Sequence, residues 1–319
     1  MKFLALLSVL PLAAAGVVAN APKEGLVAKS GKPGAVRKVF TLSKTFNLSP
    51  GGGAVRGMGN GETISIRGSD LCGDCTVLEG QIHLTNAADG SPVDEKVVYN
   101  HHILTNGPRL QFPLKASGMS LAMAGGFVGA GGDNGNSPFM YYSPKQEKKM
   151  VTGYQMKPTT SFSTNVVLVN KSQKSQSIKV NYELEYIPGT VGKNVRSALV
   201  SASVIPNSNG PSVSNVLTWE EDGEFLYGKG HLHDGGVAMK MWFWHAGEST
   251  SAANRAKAYY TCDSAATYEG TSIVSMKSCD PVSVKKGDLV VMESTYSKAK
   301  ASNAAAGGNM AMFRMIFAA

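Results

Sequence analysis

The chain of 319 residues carries a formal net charge of +8, and 17% of its residues are charged while 43% are hydrophobic. This length is too great for one small core and suits two domains of about 150 residues each. The basic residues are not interleaved with aromatic residues, as a site for single-stranded nucleic acid would require, so we expect no nucleic-acid partner.

The first residues have the pattern of a secretory signal peptide. Lys2 supplies the positive region, Phe3 to Leu12 the apolar region and Ala13 to Ala21 the small-residue cleavage zone. This apolar run is too short to span a bilayer, and no later segment reaches the roughly 18 apolar residues of a membrane helix. We therefore predict a signal peptide at residues 1–21, a secreted, extracellular protein and no membrane span.

After residue 35 the sequence is a series of short β-branched or aromatic stretches separated by Gly, Pro, Asn and Ser clusters. In chain order the predicted strands are ETISIRG, CTVLEGQIHLTN, KVVYNHHIL, STNVVLVN, IKVNYELEYIPG, GVAMKMWFW, TSIVSMKS, DLVVMESTYS and NMAMFRMIF. "STSAANRAKAYY" is at most a short helix. Many short strands without βα alternation predict an all-β protein with two tandem antiparallel β-sandwich, jelly-roll-like domains.

A domain boundary is predicted where a strand ends at Pro188-Gly189. It gives an N-terminal sandwich at 35–190 and a C-terminal sandwich at 195–319. The Gly-rich segment 123–138 is predicted to be a mobile loop. It lacks the Lys-Ser/Thr ending of a phosphate-binding P-loop.

The four cysteines favour two disulfides, as expected for an exported protein. We predict the local pairs Cys72–Cys75 and Cys262–Cys279, and a cross-domain arrangement is the alternative. The C-x-x-C of the first pair is read as a structural link, because no βαβ context and no second C-x-x-C support a redox or zinc motif.

Four of the six histidines form two pairs. Alternate residues of a strand point the same way about 6.5 Å apart, so His231 and His233 can direct both imidazoles at one metal ion. His101 and His102 are adjacent and face opposite sides of a regular strand, so joint ligation requires a bulge or a strand end. Two surface histidines are the alternative for each pair.

Three motifs then occur in the order found in a known family. "NHHILTNG", "GKGHLHDGG" and "VKKGDLVVMESTYSKAKASNAAAGGNMAMFRMIF" resemble the copper type II, ascorbate-dependent monooxygenases, which include peptidylglycine α-hydroxylating and dopamine β-monooxygenases. The resemblance covers roughly residues 95–319 and is closer to a secreted fungal branch. It implies two β-sandwich domains, each with one copper across a solvent cleft.

The resemblance also implies a ligand set and a reaction. His231, His233 and the thioether of Met310 would hold the copper that activates O₂ and hydroxylates a substrate C–H bond, and Met312 replaces Met310 if the alignment slips by two. A soft sulfur ligand favours Cu(I), the state that reacts with O₂. His101 and His102 would hold an electron-storing copper, with ascorbate or a similar small molecule as reductant. The substrate, a small molecule or a peptide, stays open, and we expect a monomer.

The sequence departs from this family at Asn170, where a third histidine of the second copper is expected. Asparagine is a poor Cu(I) ligand, and "NKS" is an N-glycosylation sequon. A glycan and an inward-facing ligand exclude each other at one side chain. We therefore predict one copper, with the second site weakened or absent.

Two basic residues are candidates for binding a carboxylate of the substrate. Lys229 lies two residues before His231, where the family often has arginine, and Arg314 lies four residues after Met310. A solvated charge or an ion pair within the sheet is the alternative for each.

Other functions fit the same residues. A non-catalytic secreted protein, copper-binding or a cell-surface or structural module, is consistent with the missing third histidine. A zinc hydrolase would need Asp or Glu beside the two histidines, and Asp234 faces away from them on a regular strand. The sequence thus predicts a copper-dependent monooxygenase, with the non-catalytic protein as the main alternative.

Overall fold

The structure, a computed structural model, describes residues 26–51, 61–108, 111–116, 125–131, 138–147, 150–201, 210–233, 235–269, 272–297 and 311–319. The predicted signal peptide, Asp234 and Met310 lie outside these residues. Among the described residues no helix is long and apolar enough to cross a membrane.

The described chain is almost entirely β-structure. Its first half contains β1 (Val36–Leu48), β2 (Glu62–Arg67), β3 (Cys75–Asn86), β4 (Val98–Asn106), β5 (Leu114–Ala116), β6 (Gly126–Ala130), β7 (Phe139–Met140), β8 (Thr152–Met156), β9 (Ser161–Asn170), β10 (Gln176–Pro188) and β11 (Lys193–Asn194). The second half contains β12 (Arg196–Ser201), β13 (Gly210–Val213), β14 (Leu217–Trp219), β15 (Gly223–Leu232), β16 (Gly236–Trp244), β17 (Tyr260–Glu269), β18 (Ser272–Met276), β19 (Ser278–Cys279), β20 (Val282–Val284), β21 (Leu289–Tyr296) and β22 (Ala311–Ala318). The predicted short helix is the 3-10 helix Ala252–Lys257.

These strands form four sheets. Sheet I has the order β1-β10-β3-β8-β11 with β7 beside β3, and sheet II has β2-β9-β4-β6. Sheet III has β12-β22-β15-β19 with β20 beside β15, and sheet IV has β18-β17-β16-β21-β14-β5 with β13 beside β21. Apart from the short parallel pair of β11 and β8, the pairings are antiparallel. The prediction of an all-β, antiparallel sandwich fold is confirmed.

The two largest hydrophobic cores divide the chain near the predicted boundary. One core is built mainly from sheets I and II and the other from sheets III and IV. The boundary is not a clean division, because β5 pairs with β14 in the sheet of the second half. The limits 35–190 and 195–319 stay a prediction.

Sheet III is covered on both faces. Phe225, Leu232 and Phe313 point into the second core, whereas Tyr227 and Ile316 belong to the first core. Side chains alternate along a strand. The residue two positions after Tyr227 and the residue two positions before Ile316 therefore also face the first sandwich. This face of sheet III, which we call the inter-sandwich face, carries the candidate site.

The alternating glycines of "YGKGHLH" explain how the opposite face packs. A Cβ at Gly228 would lie 2.5 Å from the Phe225 ring, and one at Gly230 would lie 2.9 Å from the methyl of Met276 and 3.1 Å from Cβ of Met239. No side chain fits at either of these two positions. The residues between the glycines are therefore presented to the first sandwich.

Two other expectations are decided here. Both local disulfides, Cys72–Cys75 and Cys262–Cys279, are present. The prediction of a loop throughout 123–138 is wrong in part, because Gly126–Ala130 is strand β6, paired with β4. Glycines lower strand propensity but are tolerated where another backbone or ring approaches closely: a Cβ at Gly129 would lie 2.9 Å from the carbonyl oxygen of Ile103.

Candidate functional site: a histidine cluster between the sandwiches

The H-x-H motif lies where β15 turns into β16. The ring centroids of His231 and His233 are 5.6 Å apart, as expected for alternate residues on one side of a strand. Gly235 makes the turn with a φ of +97°, and the peptide N–H of Gly236 donates to the carbonyl oxygen of His233 at 2.9 Å. Gly235 therefore lets the chain turn directly after His233.

Two tyrosines hold this turn, and neither had a sequence signal. The backbone N–H of His233 donates to the hydroxyl of Tyr296 at 3.1 Å. The N–H of Gly235 donates to the hydroxyl of Tyr268 at 3.0 Å, which in turn donates to the carbonyl oxygen of Gly236 at 2.6 Å. Both rings anchor the peptide beside the histidines and so limit where the imidazoles can go.

The adjacent histidines sit at a β-bulge in β4. Asn100 pairs with Leu168 and His102 with Val167, so His101 is the extra residue between two successive partners. A bulge was the condition under which both rings could point to one side. The two Nδ1 atoms are 2.9 Å apart.

A neighbouring amide fixes the tautomer of His102. The Nδ2 group of Asn165 donates to the hydroxyl of Thr63 at 3.2 Å, which leaves its Oδ1 facing Nε2 of His102 at 2.9 Å. An amide oxygen only accepts, so Nε2 of His102 carries the proton. Nδ1 of His102 therefore presents a lone pair toward His101.

The two pairs meet across the interface between the sandwiches. The ring centroids of His101 and His233 are 6.5 Å apart. Burial first, and then the neighbouring rings of His102, His233 and His231, lower the pKa of His101. Burial is also the main cause that lowers the pKa of His231 to about 4, with His102 and Lys229 adding to it. His101, His102, His231 and His233, which we call the histidine cluster, thus lie beside one another at this interface.

Three of the remaining candidate residues, Lys229, Met312 and Arg314, lie on the inter-sandwich face. Met312 is the register partner of His231, and Arg314 is the register partner of Lys229, so the side chains of these four residues share the inter-sandwich face. Met312 is buried but belongs to none of the hydrophobic core clusters formed by the described residues. The roles of these residues, and that of Met310, stay predictions.

Asn170 is a structural residue. Its side chain is buried, and its amide donates to the carbonyl oxygens of Ser49 at 3.0 Å and of Lys174 at 2.7 Å. Its Oδ1 accepts from the backbone and hydroxyl of Ser172. The side chain is committed to the turn after β9, which leaves neither room for a glycan nor an atom for a metal.

The donor chemistry of the cluster suits copper, nickel or zinc, but the arrangement is incomplete. Two ligands about 2.1 Å from a metal and about 90° apart are about 3 Å from each other, which matches the Nδ1 atoms of His101 and His102. Within the described part of the chain, however, no three or more His, Cys, Asp or Glu side chains are grouped so that they could hold one ion. Each histidine pair offers at most two ligands.

Two of the solved structures that match this chain do so with low scores. A cowpea mosaic virus empty particle matches with a TM-score of 0.41 and 8% identity over 98% of this chain and 95% of that chain. Tripeptidyl peptidase 2 matches with a TM-score of 0.21 and 8% identity over 88% of this chain and 23% of that chain. No curated protein sequence matches. Neither structural score supports a conclusion about function.

The family comparison corrects the resemblance drawn from the motifs. The family model of stress up-regulated Nod 19 matches residues 159–319, and this segment contains the H-x-H motif and β22. The assignment to the copper type II monooxygenases is therefore wrong, and so is the O₂-activating, C–H-hydroxylating function deduced from it. The physical reasons are the structural commitment of Asn170 and the lack of a three-ligand group among the described residues. The chain belongs to the stress up-regulated Nod 19 family.

Proposed function

We propose that this chain is a non-catalytic secreted protein that binds one copper ion in the histidine cluster, between its two sandwiches. The observation that carries the proposal is the convergence of imidazoles from β4 and from the β15–β16 turn, with His101 and His233 6.5 Å apart between ring centroids. Secretion is supported by the signal-peptide pattern at residues 1–21 and by two disulfides, which persist in oxidising compartments.

The residues around the histidine cluster favour the binding of a cation. A metal requires neutral imidazoles, and the lowered pKa values of His101 and His231 keep both rings neutral at pH 7. Asn165 orients His102, as outer partners of metal-binding histidines do. Met312, opposite His231, adds a sulfur atom on the same face.

A copper ion bound here would be redox-active and would also connect the two halves of the chain. A single ion would replace the contact between the Nδ1 atoms of His101 and His102. Side-chain rotation of His233 toward His101 would complete the ligand set from the second sandwich. The proposal concerns binding, and no turnover is derived from it.

Calorimetric titration with Cu(II), followed by electron paramagnetic resonance, tests the proposal. We expect one equivalent of copper with nitrogen ligands, and weaker binding in both His101→Ala and His233→Ala, because each variant removes a ring from a different sandwich. His245→Ala is the matched control, since the side chain of His245 is 62% exposed and lies outside the cluster.

Two results would contradict this assignment. Unchanged affinity in His101→Ala would mean that the first sandwich contributes no ligand. Absence of copper binding in the unmodified chain would leave the cell-surface or structural module as the better description.

A further inference from the structure

Arg314 is a buried charged residue without a counterion among the described residues. Only 6% of it is exposed. Its Nη2 donates to the carbonyl oxygen of Phe127 at 3.1 Å and to the hydroxyl of Tyr141 at 3.5 Å, whereas its buried Nη1 has no hydrogen-bond partner. Burial lowers the pKa of Arg314 to about 10, so the guanidinium still carries its charge at pH 7. Within the described ranges it is thus buried and has no carboxylate partner.

The described tyrosines around it do not neutralise this charge. Lys229, the register partner of Arg314, is also buried, with 7% exposed. Burial raises the pKa of Tyr227 to about 12 and that of Tyr141 further, so both phenols are neutral at pH 7. A buried charge without compensation, such as that of Arg314, is unfavourable. The site therefore favours an anion.

A second unpartnered polar atom lies on the same face. Ser197 is 2% exposed, and its Oγ has no hydrogen-bond partner. It pairs with Ile316, two residues from Arg314 on β22, so the two side chains are diagonal neighbours. A Cβ at Gly126, on the facing strand β6, would have Oγ of Ser197, at 3.6 Å, as its one described neighbour within 4 Å. The missing side chain of Gly126 thus leaves space beside Ser197.

We propose that a small carboxylate, of the size of formate or acetate, binds between Nη1 of Arg314 and Oγ of Ser197. A planar carboxylate accepts from both donors and matches the geometry of a guanidinium. The ring of Phe139, whose centroid is 2.9 Å from Cζ of Arg314, covers the guanidinium. Neither donor belongs to the histidine cluster, so this site does not depend on copper binding.

The test is the thermal unfolding midpoint of the full chain in sodium formate, compared with sodium chloride at equal ionic strength. A ligand that binds only the folded state raises the midpoint with its concentration. We expect a saturable rise with formate and no such rise in Arg314→Met. Ser197→Ala should raise the half-saturating concentration about fivefold, as expected for the loss of one hydrogen bond.

Arg196→Met is the matched control. Arg196 is an arginine of the neighbouring strand that already pairs with Glu221 at 2.9 Å, so its loss should leave the formate response intact. Equal midpoints in formate and chloride for the unmodified chain would overturn the proposal. So would a full response in Arg314→Met or, if that variant does not fold, an unchanged half-saturating concentration in Ser197→Ala.

Discussion

At the residue scale, the tautomer of His102 depends on a chain of two side-chain contacts from Thr63 through Asn165. Replacing Asn165 with alanine removes the acceptor for Nε2 of His102 and frees the ring to rotate. We expect copper affinity to fall by about tenfold, the usual effect of losing an outer-shell partner, with the thermal midpoint of the metal-free chain little changed. Calorimetric titration measures the affinity.

Asn165→Asp is the control for this prediction, because a carboxylate still accepts from Nε2. Its copper affinity should equal or exceed that of the unmodified chain. Equal loss in both Asn165 variants would show that the amide acts only on the fold of β9 and not through the ring of His102.

Glu183 makes stability depend on pH. A hydrogen bond from His83, together with Arg37, lowers its pKa from 4.5 to about 2 although burial opposes this. The unfolded chain therefore binds more protons than the folded one between these values, and stability falls as the pH is lowered from 4.5 to 2. The difference corresponds to about 3 kcal/mol.

Glu183→Gln should lower stability at pH 7 and flatten its pH dependence between pH 2 and 4.5, as measured by urea unfolding at several pH values. Glu221→Gln is the comparison, because the side chain of Glu221 is 46% exposed and screened by solvent. A slope that is as steep in Glu183→Gln as in the unmodified chain would assign the acid sensitivity to other carboxylates.

The sequence could predict part of the site at this scale. Alternation along a strand was enough to place His231 beside His233, and the need for a bulge at His101 followed from adjacency alone. Alternation could not show that the two pairs meet, because that depends on how sheet III packs on the first sandwich. Asn170 was taken from a motif alignment, and its role in the turn after β9 depends on carbonyls distant in sequence.

At the scale of the element, the packing of β15 requires that Gly228 and Gly230 have no side chain. Gly230→Ala places a methyl 2.9 Å from the side chain of Met276 and 3.1 Å from Cβ of Met239, inside a packed core. We expect a loss of about 1–3 kcal/mol in the free energy of unfolding, measured with denaturant. Gly126→Ala, whose new methyl would lie 3.6 Å from its described neighbour, should cost less. Equal costs would contradict this packing argument.

Some strands were predictable, but β1 and β15 were missed and the strand partners were not predicted. "CTVLEGQIHLTN" and "GVAMKMWFW" coincide with β3 and β16, because β-branched and aromatic residues bounded by turn residues are a local signal. Strand β6 was missed because four of the residues in or next to it, Gly125, Gly126, Gly129 and Gly131, are glycines, which lower strand propensity. Which strands pair is decided by long-range packing that no local pattern contains.

At the scale of the whole molecule, the two halves share structure. Strand β5 from the first half pairs with β14, and Leu114 and Phe112 belong to the second core beside Trp219. A fragment of residues 195–319 lacks these residues, and it also exposes the inter-sandwich face. We expect it to lack a cooperative unfolding transition by circular dichroism and to bind a hydrophobic dye. A fragment as stable as the full chain would show that β5 is dispensable.

The position of β22 in sheet III affects how the chain reaches its native state. Strands β12 and β15 both hydrogen-bond to β22, which follows them by a long stretch of sequence. The edges of β12 and β15 that pair with β22 therefore stay unpaired until β22 has docked. Non-local pairing of this kind slows folding, and open strand edges attract other chains. During synthesis the half-built sheet is therefore a natural target for chaperones, and changes that delay the docking of β22 should reduce yield before they alter the finished protein.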